Sequence, residues 1–255
     1  NDYLDGKKPI STKITYDFID NIFNKFEKLN SYADITRGIH PYRIGGYGRS
    51  AYGNHPQTKR DVETRPYNSI EKLPGHRGFI YGKDLRRFCA PIPKDFINYG
   101  KWLAEPRNPK FFEGERIYSR KILGERLVIT IETTDSIADQ QVYITLPKYN
   151  FPNAFYLAGI LGSKLIAFYI KTFYNEGGDS FPQIKVGQLK KLPIAVSKDY
   201  EYFITDLVKH MLELNNRTSQ IPFEQEQLER EITTTDAQID RLVYELYGLT
   251  EEEIK

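Results

Sequence analysis

The chain has 255 residues, of which 40% are hydrophobic and 27% charged, so it is long enough to bury a core and ordinary enough in composition to be globular. A single cysteine, Cys89, excludes internal disulfides and a cysteine-built zinc site, and the four histidines lack metal-ligand spacing. The net charge of +2 conceals a division: residues 31–130 hold 19 Lys/Arg against 10 Asp/Glu, whereas residues 201–255 hold 5 against 13.

The aromatic share is 14%, mostly tyrosine, which suits both interfaces and contacts to bases or sugars as well as a core. With Asn1 first and Met211 the only methionine, the sequence is expected to be an excised part of a longer polypeptide with no signal peptide before it. Cysteine usage fits a reducing cytosol, so a cytoplasmic location is expected. The most apolar run, residues 155–170, is interrupted by Lys164 and falls short of the roughly 18 residues of a membrane span, so no membrane partner is expected.

In chain order, Ile14, Phe18, Ile22, Phe26 and Leu29 recur every three or four positions and predict an amphipathic helix over 11–29, a linker from an upstream domain. A short strand over 32–39 leads into a loop of more than twenty residues crowded with Gly, Tyr, Arg, Asn and Gln, too long for a mere connection. Gly46 and Gly48 do not make a dinucleotide fingerprint, because Asn54, His55 and Pro56 deny the helix that must follow. Strands are predicted over 79–81, 97–103, 116–122, 126–132 and 141–146. Leu127, Ile129 and Ile131 alternate with Val128, Thr130 and Glu132, which predicts one covered and one less covered face.

A core helix is predicted over 153–173, with Leu157, Ile160, Leu161, Leu165 and Phe168 on one side. A loop and a short strand with a helical turn follow, over 184–194. Helices are then predicted over 202–214 and 225–247. In the second, Leu228, Ile232, Thr235, Ile239, Leu242 and Leu246 form a heptad seam, closed by Gly248. No internal repeat is visible. The fold class is therefore α+β, a β-rich domain over 31–197 with packed helices and a helical, coiled-coil-like extension over 198–255.

No constellation for catalysis declares itself. There is no GxSxG elbow, no phosphate-binding GxxxxGK[ST] loop and no Asn-Pro-Pro-aromatic tetrapeptide, and the carboxylates near lysines lack the spacing of a metal-dependent nuclease. Recognition remains. Arginine can donate a bidentate pair to guanine, Asn and Gln can pair with adenine, and lysine chiefly meets phosphate. The cationic, aromatic loop offers Arg37, Arg43, Tyr47, Arg49, Asn54, Gln57, Lys59 and Arg60 for DNA, although each could equally sit on a solvated surface.

The run TRGIHPYRIGGYG, then GFIYGKDLRRF, YGKWLAEPRNPKFFEGERIYSRKI, DQQVYIT, LAGILGSKLIAFYIK, FPQIKVGQLKKLPI and IDRLVYELYGLTEEEI resembles the TaqI-like target-recognition domain, in order and from Ile35 onward. That domain belongs to adenine-N6 DNA methyltransferases and fused type IIG restriction-modification enzymes. The resemblance implies double-stranded DNA as partner, with catalysis in a methyltransferase domain of the same polypeptide or a partner subunit. No cofactor is expected in this segment; S-adenosylmethionine, and Mg where a nuclease is present, would serve the parent enzyme. It also points to Lys83, Arg86 and Arg87 in GKDLRR as backbone or base contacts, to Lys185 as a phosphate contact, and to Trp102, Pro106, Phe181 and Ile184 as structural. Arg107, Arg120 and Lys121 stay open between the two roles. The alternative is a separate specificity subunit of a type I-like system; a freestanding nuclease is a third reading.

Overall fold

A computed structural model describes residues 22–174, 183–217 and 221–254. Most of the helix expected over 11–29, and Phe181 with its loop, lie outside the described residues.

Two four-stranded sheets are packed face to face. The first has the order β1 (Ala33–Arg37), β8 (Val142–Pro147), β5 (Arg116–Arg120), β6 (Ile129–Glu132), antiparallel throughout. The second has the order β2 (Asn68–Ser69), β4 (Asp95–Asn98), β3 (His76–Ile80), β7 (Ile137–Ala138), with β3 and β7 parallel. Period-two alternation assigns each side chain of the first sheet to one of two cores. Ile35, Ile117, Ile129, Ile131 and Tyr143 enter the core under the helices. Tyr118, Val142 and Ile144 enter the core shared with Phe79, Ile80, Ile97 and Ile137 of the second sheet.

The first sheet is thus covered on both faces, unlike the half-covered sheet that the alternation in 127–132 suggests. The polar positions of β6 are buried with their hydrogen bonds satisfied, one by a distant segment and one by the turn that follows. The Thr130 hydroxyl donates to the Cys89 carbonyl at 2.8 Å, and Glu132 accepts from the Ser136 hydroxyl at 2.7 Å and the Thr134 amide. Arg116 is fully buried, donating to the carbonyls of Gly114, Thr134 and Ser136 and to the Tyr118 hydroxyl. The 97–103 strand ends early, at Asn98, where the chain turns and the Trp102 indole donates to the Asn98 carbonyl.

On the open face of the first sheet lie the helices. Short helices α1 (Leu29–Tyr32) and α2 (Lys59–Thr64) precede them in the chain. The central one, α3 (Ala154–Leu161), is capped by Asn153, which accepts from the Tyr156 amide at 2.9 Å. It is buried almost all round, so its apolar residues do not confine themselves to a stripe. The expected single helix over 153–173 is broken at Gly162 and Ser163, and α4 (Lys164–Tyr174) leaves at 60° to α3. That bend turns Phe168 outward, to 45% exposure. Among the described residues no single helix is long and apolar enough to cross a membrane.

After α5 (Val186–Lys190) come α6 (Glu201–Asn216) and α7 (Pro222–Tyr247), the latter begun by Pro222 and ended by Gly248 at φ 75°. A last turn, α8 (Glu251–Ile254), follows. Ile204, Val208 and Met211 of α6 and Ile239, Val243 and Tyr247 of α7 belong to the same core as the first sheet, so segment 198–255 packs as part of this body. The heptad seam holds for Leu228, Thr235 and Ile239, then drifts: Val243 and Tyr247 are buried while Leu242 and Leu246 are half-buried. A straight helix packed on a globular core keeps a 3.6-residue period, whereas a supercoil would keep 3.5.

Candidate nucleic-acid interface

The long loop after β1 is built around two buried polar side chains. Asp61, fully buried, accepts from the Ser50 hydroxyl, the Ala51 amide at 3.0 Å, the Thr58 amide at 2.8 Å and the Thr58 hydroxyl at 2.9 Å. Burial pushes this carboxyl up, but the Thr58 and Ala51 amides and the two hydroxyls outweigh it and hold the pKa down at about 2. Gln57 is 1% exposed; its amide donates to the Pro41 and Trp102 carbonyls and its oxygen accepts from the Arg43 amide at 2.8 Å. The expectation that Gln57 meets DNA is therefore corrected: its side chain is buried and bonded to the backbone of Pro41, Arg43 and Trp102. Gly48 packs so closely on it that a Cβ there would lie 2.7 Å from Gln57 and 2.9 Å from the Ala104 backbone.

This frame leaves Arg43, Tyr47, Arg49, Asn54, Lys59 and Arg60 exposed, with Tyr47 wholly so. Arg60 stacks on the Tyr52 ring at 3.8 Å and Lys59 faces Glu63 one turn on. Arg37, at the end of β1, donates to Glu105 at 2.7 Å, and Arg43 lies 3.5 Å from the same carboxylate.

The GKDLRR turn lies next along the surface. Gly82 to Asp84 form a 3-10 turn whose Gly82 amide donates to Asp139; a Cβ on Gly82 would meet Gln141 at 2.8 Å, so glycine is what lets the turn approach that strand. Lys83 is exposed near the Tyr81 ring, and Arg86 is exposed at the rim of a cavity of 360 Å³ lined also by Asp84, Ile92 and Lys94. Arg65, in the left-handed region at φ 49°, donates to the Tyr81 hydroxyl and links the loop to this turn.

Arg87 goes elsewhere. It donates to Asp236 of α7 and to the Gly162 carbonyl at 2.9 Å, and its side chain is 23% exposed. Arg126 joins it, 3.1 Å from Asp236 and 3.0 Å from Asp240. Arg87 was expected to contact DNA; the structure makes it a strut between the turn and the acidic helix. Burial pulls its pKa down and Asp236 opposes that.

Lys185, distant in sequence, is brought beside Arg120 and Lys121 by the backbone. The Lys121 carbonyl accepts from the Ile184 amide, and the Lys121 amide donates to the Gln141 carbonyl, which places this group beside the Gly82 turn. Arg120 donates to the Ile122 carbonyl, and the Lys185 amide donates to Gln188 at the start of α5. Ile184 is buried, as expected. Arg107, left open by the sequence, is structural: it donates to Glu105 and to the Gly38 carbonyl. Sequence reasoning missed Arg65, Lys94 and Glu105; the only signal was their position beside prolines or aromatic residues in a basic stretch. Among the described residues no group of three or more His, Cys, Asp or Glu could hold a metal ion.

Residues 77–194 match the family model described as the TaqI-like C-terminal specificity domain. The match takes in a little under half of the chain. The match is narrower than the motifs from Ile35 onward suggest, and the loop before β2 precedes it. The fold of the chain is similar to that of the type IIL restriction-modification enzyme MmeI, solved in complex with DNA, with a TM-score of 0.53 and 12% identity over 88% of this chain and 34% of that one. It is also similar to the type IIG restriction endonuclease BpuSI, with a TM-score of 0.51 and 9% identity over 93% of this chain and 33% of that one. The chain thus spans about a third of the length of these two proteins. No curated protein matches it.

Proposed function

We propose that this chain selects a specific double-stranded DNA site for a restriction-modification enzyme that methylates adenine at N6, with catalysis in a methyltransferase domain of the same polypeptide or in a partner subunit. One observation carries the reading. The segment with the specificity-domain match, 77–194, holds Lys83, Arg86, Arg120, Lys121 and Lys185 on adjoining hydrogen-bonded pieces of backbone. The framed loop adds Arg37, Arg43, Tyr47, Arg49, Asn54, Lys59 and Arg60. Cations brought together from distant segments supply phosphate neutralisation, and exposed Arg and Asn side chains can reach base edges.

S-adenosylmethionine would be bound outside this chain, as would Mg if the parent also cleaves DNA. An adenine methyltransferase takes its base out of the duplex, so the part that selects the site must hold the flanking helix while another domain receives the base. The test is selection of bound duplexes from a randomised pool by the full-length protein, followed by binding to the enriched duplex across a salt series. Enrichment of one short sequence, with a steep salt dependence, is the expected result. Binding all duplexes alike would sink the proposal.

A further inference from the structure

Glu105 sits among the guanidinium groups of Arg37, Arg43 and Arg107 and the imidazole of His40, which burial holds towards its neutral form. Its own backbone is fixed: the Glu105 amide donates to the His40 carbonyl at 2.9 Å and the His40 amide donates back at 3.1 Å. Arg107, 22% exposed, braces the carboxylate from one side while its Nε donates to the Gly38 carbonyl at 3.2 Å. Oε2 also accepts from Arg37 Nη2 at 2.7 Å. Oε1 faces Arg43 Nη1 at 3.5 Å and His40 Nδ1 at 3.8 Å. Burial pushes the Glu105 carboxyl up, and the hydrogen bonds from Arg37 and Arg107 more than offset it, so the group is held ionised.

One carboxylate cannot neutralise three guanidinium groups. The excess charge lies on Arg37 and Arg43, whose side chains remain 47% and 64% exposed. Glu105 accepts a hydrogen bond from the tip of Arg37 and pairs electrostatically with Arg43 at 3.5 Å, while the buried Gln57 holds the backbone of Arg43. A guanidinium has five donors in a rigid fork, so steadying one nitrogen still leaves a donor pair for a planar acceptor. A phosphate needs only positive charge nearby, and mobile lysines supply it; a guanidinium fixed by a clamped carboxylate suits the O6 and N7 pair of guanine.

Resting on the DNA reading above, we infer that Glu105 is a positioning residue that holds Arg37 and Arg43 to read guanine in the major groove. Its removal acts on which base is chosen, and the arginines carry the contact.

The experiment is selection from a randomised duplex pool by the full-length protein and by its Glu105→Gln, Arg37→Ala, Arg37→Lys and Arg43→Ala variants. The affinity of each is then measured for the enriched duplex, for its single-base variants and for a duplex of unrelated sequence. The expected result is that Glu105→Gln weakens discrimination at one guanine by about tenfold or more, the scale of a lost bidentate contact. Arg37→Ala or Arg43→Ala should relax that same position, and Arg37→Lys should keep affinity for the unrelated duplex while losing the preference. Uniform weakening on every duplex, with the preference for guanine intact, would overturn the inference and mark these arginines as phosphate contacts. So would an enriched site at which no guanine position responds to either arginine. Arg37 and Arg43 are exposed enough to be truncated without unfolding the chain, so those two variants decide the matter if Glu105→Gln folds poorly. If the unaltered protein enriches no sequence, the DNA reading itself has failed.

Discussion

Arg86 and Arg87 are neighbours in sequence with opposite surroundings, and separating their effects tests the assignment of the cationic face. Arg86→Ala removes an exposed cation beside Lys83 and Lys94. If Arg86 meets one phosphate, its loss should lower the slope of log K against log salt by about 0.9 and leave stability within about 0.5 kcal/mol. Arg87→Ala removes two charge-assisted hydrogen bonds, to Asp236 and to the Gly162 carbonyl, from a site where both charged partners are about four-fifths covered. Exposed ion pairs contribute at most about 1 kcal/mol, and breaking a buried one costs about 3–5 kcal/mol. Asp236 keeps Arg126, so it is not stranded, and a cost of about 2–3 kcal/mol is expected from those bounds. The assay is urea denaturation of the chain for the single variants, for Asp236→Ala and for Arg87→Ala/Asp236→Ala. The double-mutant cycle should show a coupling of about 1–2 kcal/mol. The salt slope of Arg87→Ala, measured where the variant is folded, should match that of the unaltered protein. If Arg87→Ala instead flattened the salt slope as Arg86→Ala does and left the urea midpoint unchanged, the strut would be refuted and Arg87 restored to the DNA face.

Other outcomes follow from the packing. Adding a Cβ at Gly159 places it 2.6 Å from Ile204 Cγ2, so Gly159→Ala should cost about 1–3 kcal/mol by denaturation, with Ile204→Ala relieving part of the clash. Arg116→Met removes the fully buried guanidinium that donates to the Gly114, Thr134 and Ser136 carbonyls, of which Ser136 keeps the Tyr118 hydroxyl, and should destabilise by about 1–3 kcal/mol; a loss under about 0.5 kcal/mol would mean that the other carbonyls find new partners. The Asp61 pKa is depressed in the folded chain, so its stabilising contribution is complete above the unfolded value near 3.8 and is lost as pH falls towards about 2. Asp61→Asn should already lack it at neutral pH, seen as faster proteolysis within residues 44–60, and the acid-induced loosening of that loop should shrink. Incubated with S-adenosylmethionine and DNA, the purified 255-residue chain should transfer no methyl group, and measurable transfer would place chemistry within it.

Much of the fold was legible because alternation and helical spacing are local. The β5 and β8 strands, the α7 helix and its Gly248 stop could be read from neighbouring residues. What could not be read depends on remote partners. Thr130 looks like a solvent-facing position until the carbonyl of Cys89, 41 residues earlier, is seen to accept from its hydroxyl. Nothing beside Arg87 announces that its carboxylate lies on a helix 149 residues later. Gln57 resembles an adenine reader in sequence, and only the Pro41 and Trp102 carbonyls show that it faces inward. Charge counting overstates the basic face for the same reason, since Arg116 is buried and the Arg77, Arg107 and Arg126 guanidiniums are largely covered and bonded to backbone or acidic groups. Lys121 and Lys185 are the opposite case: two unremarkable lysines brought near each other because the Ile184 amide donates to the Lys121 carbonyl.

Because neighbouring positions along β5 and β8 serve two separate cores, the chain has a built-in division of mutational burden. Substitutions at Tyr118, Val142 or Ile144 disturb the layer that carries the β2–β4–β3–β7 side of the molecule, while Ile117 and Tyr143, which anchor the helices, feel little of it. A lineage could therefore remodel one layer step by step, and with it the surface that layer supports, without having to re-evolve the way the helical half is held.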